Sequence, residues 1–283
     1  MCRKIMGMGR LIQKLAFPLA VGSFAALYLM ERRRPLRGQV ESKTIRTGRN
    51  LALAGTAALA LYSIERPIAK RAAELVERRG IGLLKLVCLP KWLEPLAAVI
   101  LLDYTLYLWH VLTHRMPALW RFHVVHHVDL DLDTTTALRF HFGEMTISVA
   151  WRLAQIVLIG VSPGSLRIWQ AFLLPSIIFH HSNLELSEEL ERRIGKLFVT
   201  PRMHGIHHSV VQEKANSNWS SGLSIWDRIH GTFRDISEHH GVKAGVPAYS
   251  KPEDITVGKL LEMPFRQQRP TWRLPAAEDA DER

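Results

Sequence analysis

The chain has 283 residues, 47% of them hydrophobic, with 37 Lys and Arg against 26 Asp and Glu and a formal net charge of +11. That length suits one large domain or a membrane-embedded body with a soluble part. Only two cysteines are present, Cys2 and Cys88, which excludes a disulfide-stapled scaffold and fits a reducing environment for the soluble part.

In chain order, the N-terminus is basic (Arg3, Lys4, Arg10, Lys14) and runs into an uncharged stretch at 15–30. No small-x-small cleavage site precedes Glu31-Arg32-Arg33-Arg34, so an uncleaved anchor is expected. Residues 51–64 are also uncharged, 95–109 carry Asp103 as their one charge, and 145–182 hold two apolar stretches broken at Ser162-Pro163-Gly164. Each is shorter than the ~20 residues that cross a bilayer comfortably, so short or tilted spans in hairpins are expected, ahead of buried helices of a soluble protein. Residues 65–91 mix charged and apolar positions and read as an amphipathic helix lying at the membrane surface. From about 183 the chain is polar, and the tail beyond Pro270 is expected to fray.

Arg and Lys cluster beside apolar segments, at 31–49 and 66–91, and do not interleave with aromatics along one strip. This favours anionic lipid headgroups as partners over nucleic acid. With 31–49 in the cytoplasm, two further crossings put the histidines there as well. A bacterial inner membrane and an endoplasmic reticulum membrane suit the chain equally. No run of alternating strands occurs, so an all-α fold is expected: a membrane helical bundle of short spans with a cytosolic helical cap. The expected divisions are 1–90 (anchor segments and interfacial helix), 91–240 (the histidine-bearing domain) and 241–283 (a polar tail).

All 14 histidines lie between His110 and His240. They fall into His110-x3-His114, His123-x2-His126-His127 and His204-x2-His207-His208, with His141 and His181 between. Spacings of three and four residues point imidazoles to one side of a helix. Eight imidazoles exceed what one tetrahedral ion takes, so two metals are implied. Structural zinc draws on cysteine, and neither cysteine lies near a histidine. His110-Val111-Leu112-Thr113-His114 lacks the glutamate of a zinc-protease motif, and the Glu-x-x-His of soluble di-iron bundles is missing. A pair of irons held by imidazole at a membrane surface remains. On a helix starting at Glu94-Pro95, Asp103, Tyr107, His110 and His114 fall within about 60° of one stripe. Asp103 is therefore expected to orient a metal-bound imidazole, ahead of bonding a neighbouring helix.

With these boxes, His141-Phe142-Gly143-Glu144, His181-Ser182-Asn183 and the closing Trp226-Asp227-Arg228-Ile229-His230-Gly231-Thr232-Phe233, the stretch 90–235 resembles the fatty acid hydroxylase/sterol desaturase superfamily of integral-membrane di-iron enzymes. The resemblance implies His110, His114, His123, His126, His127, His141, His181, His204, His207 and His208 as metal ligands. His180 and His230 are expected to point elsewhere or to pack, and His239 and His240 to be solvated. Hydroxylation or desaturation of a lipid C–H bond by two irons and dioxygen follows, with electrons supplied from outside by a ferredoxin or cytochrome. Gly80-Ile-Gly82 and Gly7-Met-Gly9 lack the third glycine and preceding strand of a dinucleotide site, so the chain carries no reductant of its own. The alternative is a membrane protein that binds or moves metal without turnover.

Overall fold

The computed structural model describes residues 2–87, 89–90 and 92–272, with side chains from Pro18 onward. The cysteines and the end of the tail therefore lie outside the described side chains. Among the described residues the architecture is helical, with isolated bridges in place of a sheet.

α1 (Cys2–Arg33) is followed by α2 (Lys43–Ala60), a π-helical turn at Leu61–Glu65, and α3 (Arg66–Arg79). After a four-residue helix α4 (Leu83–Leu86) come α5 (Leu93–Arg115) and α6 (Pro117–His127), then α7 (Phe142–Ile159) and α8 (Pro163–His181) as a hairpin. The hairpin turn is written in its residues: Gly160 closes α7 at φ +83°, Ser162 accepts from Ser165 N, and Pro163 opens α8. Gly82, at φ +99°, packs its backbone on that turn; a Cβ there would sit 2.3 Å from Gly160. The polar half holds α9 (Glu188–Ile194), α10 (Pro201–His207), α11 (Gln212–Ala215), α12 (Ile225–Ile229) and α13 (Val257–Glu262).

α5 and α7 are the two described helices long and apolar enough to cross a membrane. α8 packs between α1 and α5, and α3 lies along α7. One core joins Ala69, Ala73 and Val76 of α3 to Leu102, Ile156, Val161, Leu166 and Trp169. Small residues at 69 and 73 let the backbones of α3 and α7 approach closely.

Three readings of the sequence change here. The stretch 65–91 is not one interfacial helix: α3 ends at Gly80, which takes the left-handed conformation at φ 64°, and its inner face is buried in the bundle. The basic stretch 31–49 does not face headgroups throughout. Arg46 and Arg49 are buried and paired with Asp129, Asp133 and Glu41. Residues 241–272 are more than a polar tail, because Val246, Tyr249, Ile255, Leu260 and Met263 form a second core with Leu53, Val124 and Val125. Arg152, a lone cation in the apolar stretch of α7, finds Glu65 of the π-turn at 3.4 Å, and its guanidinium lies 4.3 Å from the centre of the Trp169 ring.

Candidate metal centre

The last turns of α5, the whole of α6, the end of α8 and the short α10 converge on one place. Pro117 restarts the helix one residue after α5 ends, so α6 folds back with its histidines facing those of α5. Thr200 caps α10 by accepting from Met203 N, and Pro201 occupies its first turn. Two imidazole sets result. His110, His114, His123, His127 and His207 offer nitrogens all within 4.8 Å of one another, and so, in a second group, do His126, His181, His204 and His208. His127 and His208 stack across the sets with ring centroids 4.3 Å apart.

The protons on these rings are directed outward. Nδ1 donates to Trp219 O from His110 (2.6 Å), to Arg139 O from His126 (3.1 Å), to Ile177 O from His181 (2.8 Å) and to Ser217 O from His207 (2.9 Å). His123 Nδ1 donates to Glu144 Oε1 at 2.8 Å. A carbonyl can only accept, so these contacts place the proton on Nδ1 and leave Nε2 with a lone pair turned inward. Nε2 of His114, His123, His127 and His207 is buried without a hydrogen-bond partner. In the second set, Nε2 of His126 and of His181 face each other at 3.0 Å, with both Nδ1 protons already committed. Two lone pairs at that separation repel unless a cation lies between them. Burial foremost, and the neighbouring imidazoles after it, hold His126, His127, His204, His207 and His208 well below the usual imidazole range. Neutral, inward-facing and orphaned nitrogens are the form in which imidazole binds a metal. The donor set fits two metal ions.

Of the ten histidines expected as ligands, all but His141 join a set. His141 caps α7 instead: its Nδ1 accepts from Gly143 N at 2.9 Å, and its Nε2 donates to Leu261 O at 3.1 Å. Both nitrogens are spent on backbone. The consequence of that cap is Glu144, three residues on, whose carboxylate is the one that orients His123. Glu144 belongs to no histidine box but stands in the N3 position, where an N-capping pattern places Glu.

Asp103 does not reach an imidazole. Its Oδ2 accepts from Leu223 N at 2.9 Å and from Trp226 Nε1 at 2.8 Å, and Gly222 lies so close that a Cβ there would be 2.3 Å from Oδ1. It anchors the loop whose Trp219 carbonyl takes the His110 proton, so its influence on the sets is indirect. His180 packs on His204 at 4.0 Å outside both sets, and His230 stacks on Tyr104 and Tyr107 at 5.7 and 5.0 Å. His239 is buried, not solvated: Arg37 donates to its Nε2 at 3.2 Å, and burial, followed by the charge of Arg37, pushes its pKa down to about 3. His240 is exposed as expected.

Around the second set, the segment 31–50 acts as a strap. Asn50 accepts from Arg139 at 2.8 Å and donates to Asp129 at 3.0 Å, while the Arg139 carbonyl holds His126. Glu31 accepts from Thr134 N and Asn183 N, and Arg37 donates to Ser182 O and Pro201 O. Each histidine-bearing piece of the second set is therefore tied to residues that the box pattern does not include.

The comparisons with known proteins agree with this geometry. Residues 95–232 match the model of the fatty acid hydroxylase family. The chain is 31% identical over 161 residues to the ornithine lipid hydroxylase OlsE of Rhizobium tropici, covering 56% of this chain and 46% of that protein. It is 30% identical over 148 residues to a cholesterol 25-hydroxylase-like protein of Danio rerio, covering 48% and 54%. It is 27% identical over 139 residues to the alkylglycerol monooxygenase of Homo sapiens, covering 48% and 29%. The chain thus spans about half the length of these relatives, or less. No solved structure matches it. Over residues 95–232, just under half of its length, the chain is thus similar to the fatty acid hydroxylase family.

Proposed function

We propose that the protein is a membrane-bound, oxygen-dependent hydroxylase that uses two irons to oxidise a C–H bond of a lipid. The observation that carries this reading is the pair of adjoining imidazole sets with their Nε2 lone pairs buried and turned inward. The relatives named above act, by their names, on an ornithine lipid, a sterol or an alkylglycerol. An apolar substrate of that class can enter laterally from the bilayer beside α5 and α7.

His110, His114, His123, His127 and His207 would hold one ion, and His126, His181, His204 and His208 the other. Two irons held there would supply dioxygen activation for oxidation of the lipid C–H bond, and neutral imidazole is a donor that suits iron. The chain's own residues set the conditions. The Trp219, Arg139, Ile177 and Ser217 carbonyls and Glu144 keep each Nδ1 protonated and each ring in place. The buried surroundings exclude water from the site, which limits side reactions there. Electrons come from a separate carrier such as a ferredoxin or cytochrome, and the histidine face is placed in the cytoplasm with the basic flank at 31–34.

The test is to express the chain in a host lacking the activity and compare membrane lipids by mass spectrometry with those from His123→Ala and His207→Ala. A lipid class gaining one oxygen, lost in both variants, is the expected result. Loss of hydrogen without gain of oxygen would point to desaturation instead. Equal products from wild type and variants would reject the assignment.

A further inference from the structure

Trp219 is buried to 1% exposure and meets the first imidazole set twice. Its carbonyl takes the His110 Nδ1 proton, and its indole lies edge-on to His114 with centroids 6.3 Å apart. Tyr107 lies 6.5 Å from the indole, and His230 stacks on Tyr107 at 5.0 Å. His230 is exposed, so a run of aromatic rings leads from the set to the surface. The two inner rings differ in one respect. The Trp219 Nε1–H is buried with no acceptor. The Tyr107 hydroxyl, by contrast, is 3.1 Å from Thr232 Oγ1, and Thr232 spends its single proton on Asp227 Oδ1 at 2.7 Å. The phenol is therefore the donor in the first contact, and a directed wire runs from Tyr107 through Thr232 to a buried carboxylate. Burial raises the proton affinity of Asp227, although Trp219 N and Ser220 N also donate to it.

We propose that Tyr107 is redox-active, and that Trp219, Tyr107 and His230 form a one-electron relay between the imidazole sets and the protein surface. The inference rests on reading those sets as an iron pair. One electron leaves Tyr107 through Trp219 and reduces the oxidised metal pair by one electron. The phenol proton passes to Thr232 as the Thr232 proton passes to Asp227, leaving a neutral phenoxyl radical and a carboxylic acid. A one-electron carrier, an iron–sulfur or haem protein, then returns an electron at the His230 face. The proton retraces its path, and phenol, hydroxyl and carboxylate are restored. One electron has crossed and no proton is lost. Trp219 passes charge without deprotonating, because nothing accepts its N–H. Tyr107 holds charge because something accepts its O–H.

The experiment photo-oxidises the full-length protein in detergent micelles with ruthenium(III) tris-bipyridine, generated by a flash with persulfate, and reads frozen samples by electron paramagnetic resonance. It needs neither bound metal nor lipid turnover, so the relay and the lipid hydroxylase assignment can fail separately. A phenoxyl signal is expected in wild type and should be lost in Tyr107→Phe, which keeps the ring stack. Thr232→Val should also reduce it severalfold while every tyrosine remains, and near-ultraviolet circular dichroism checks that both variants are folded. In iron-loaded protein cycled aerobically without lipid, Tyr107→Phe should raise oxidation of Trp219 and His114, seen by peptide mass spectrometry. An undiminished phenoxyl signal in either variant would overturn the proposal, and so, in protein shown by metal analysis to carry iron, would unchanged oxidation of Trp219 and His114.

Discussion

Glu144 and His141 share one helical turn and show how a cap and a ligand-orienting group are built together. His141 fixes the start of α7, and Glu144 then accepts the His123 Nδ1 proton from 21 residues away. Carboxylates in this position raise the basicity of the metal-bound ring, and their loss costs roughly 10–100-fold in metal affinity. Glu144→Ala should weaken binding by that order in a chelator competition, and Glu144→Gln, which keeps an accepting oxygen, by less. His141→Ala should leave metal content intact and lower stability by about 0.5–2 kcal/mol, the usual cost of a lost cap; denaturant midpoints and metal analysis measure both. Loss of metal in His141→Ala would restore it as a ligand. The boxes were legible because spacings of three and four residues are local geometry. Asp103 misled because its helix stripe is right but its partners, Leu223 and Trp226, are about 120 residues away.

At the scale of elements, hydropathy located the helices better than their surroundings. Uncharged 51–64 became the second half of α2 and the π-turn, while the first half carries Arg46, Arg49 and Asn50 into a buried ion network. Nothing in the local pattern distinguishes arginines that face headgroups from arginines that pair with Asp129 across 83 residues. Residues 65–91 show the same limit: the amphipathic pattern of α3 is real, but its apolar stripe is met by α7 and not by lipid. The packing there is close enough to test. Ala73 is fully buried, so Ala73→Leu should overpack the seam and cost about 1–3 kcal/mol. Thermal unfolding in micelles should show the drop, and an unchanged midpoint would place α3 outside the bundle.

For the whole molecule, the strap at 31–50 and the second core at 246–263 make the candidate metal centre depend on segments far outside the histidine boxes. His239 belongs to that outer frame, just beyond the closing motif, and meets Arg37 from 202 residues away at 3.2 Å. Its folded pKa, about 3, lies below the ordinary 6.5, so acid protonates the unfolded state first. The stability it contributes is complete above pH 6.5 and is lost as pH falls from there toward 3. Denaturant midpoints should decline over that interval, and His239→Asn should flatten part of the decline. A slope identical to wild type would show that His239 makes no such contribution.

The two imidazole sets are proposed to hold two irons, one in each. Metal analysis of protein purified gently without chelators, from iron-supplemented cells, tests it most directly. About two irons per chain are expected, with roughly one lost in His207→Ala and one in His204→Ala, since the two rings belong to different sets. Zinc that stays bound at the same ratio despite iron-rich growth, or a single metal lost by both variants together, would contradict it.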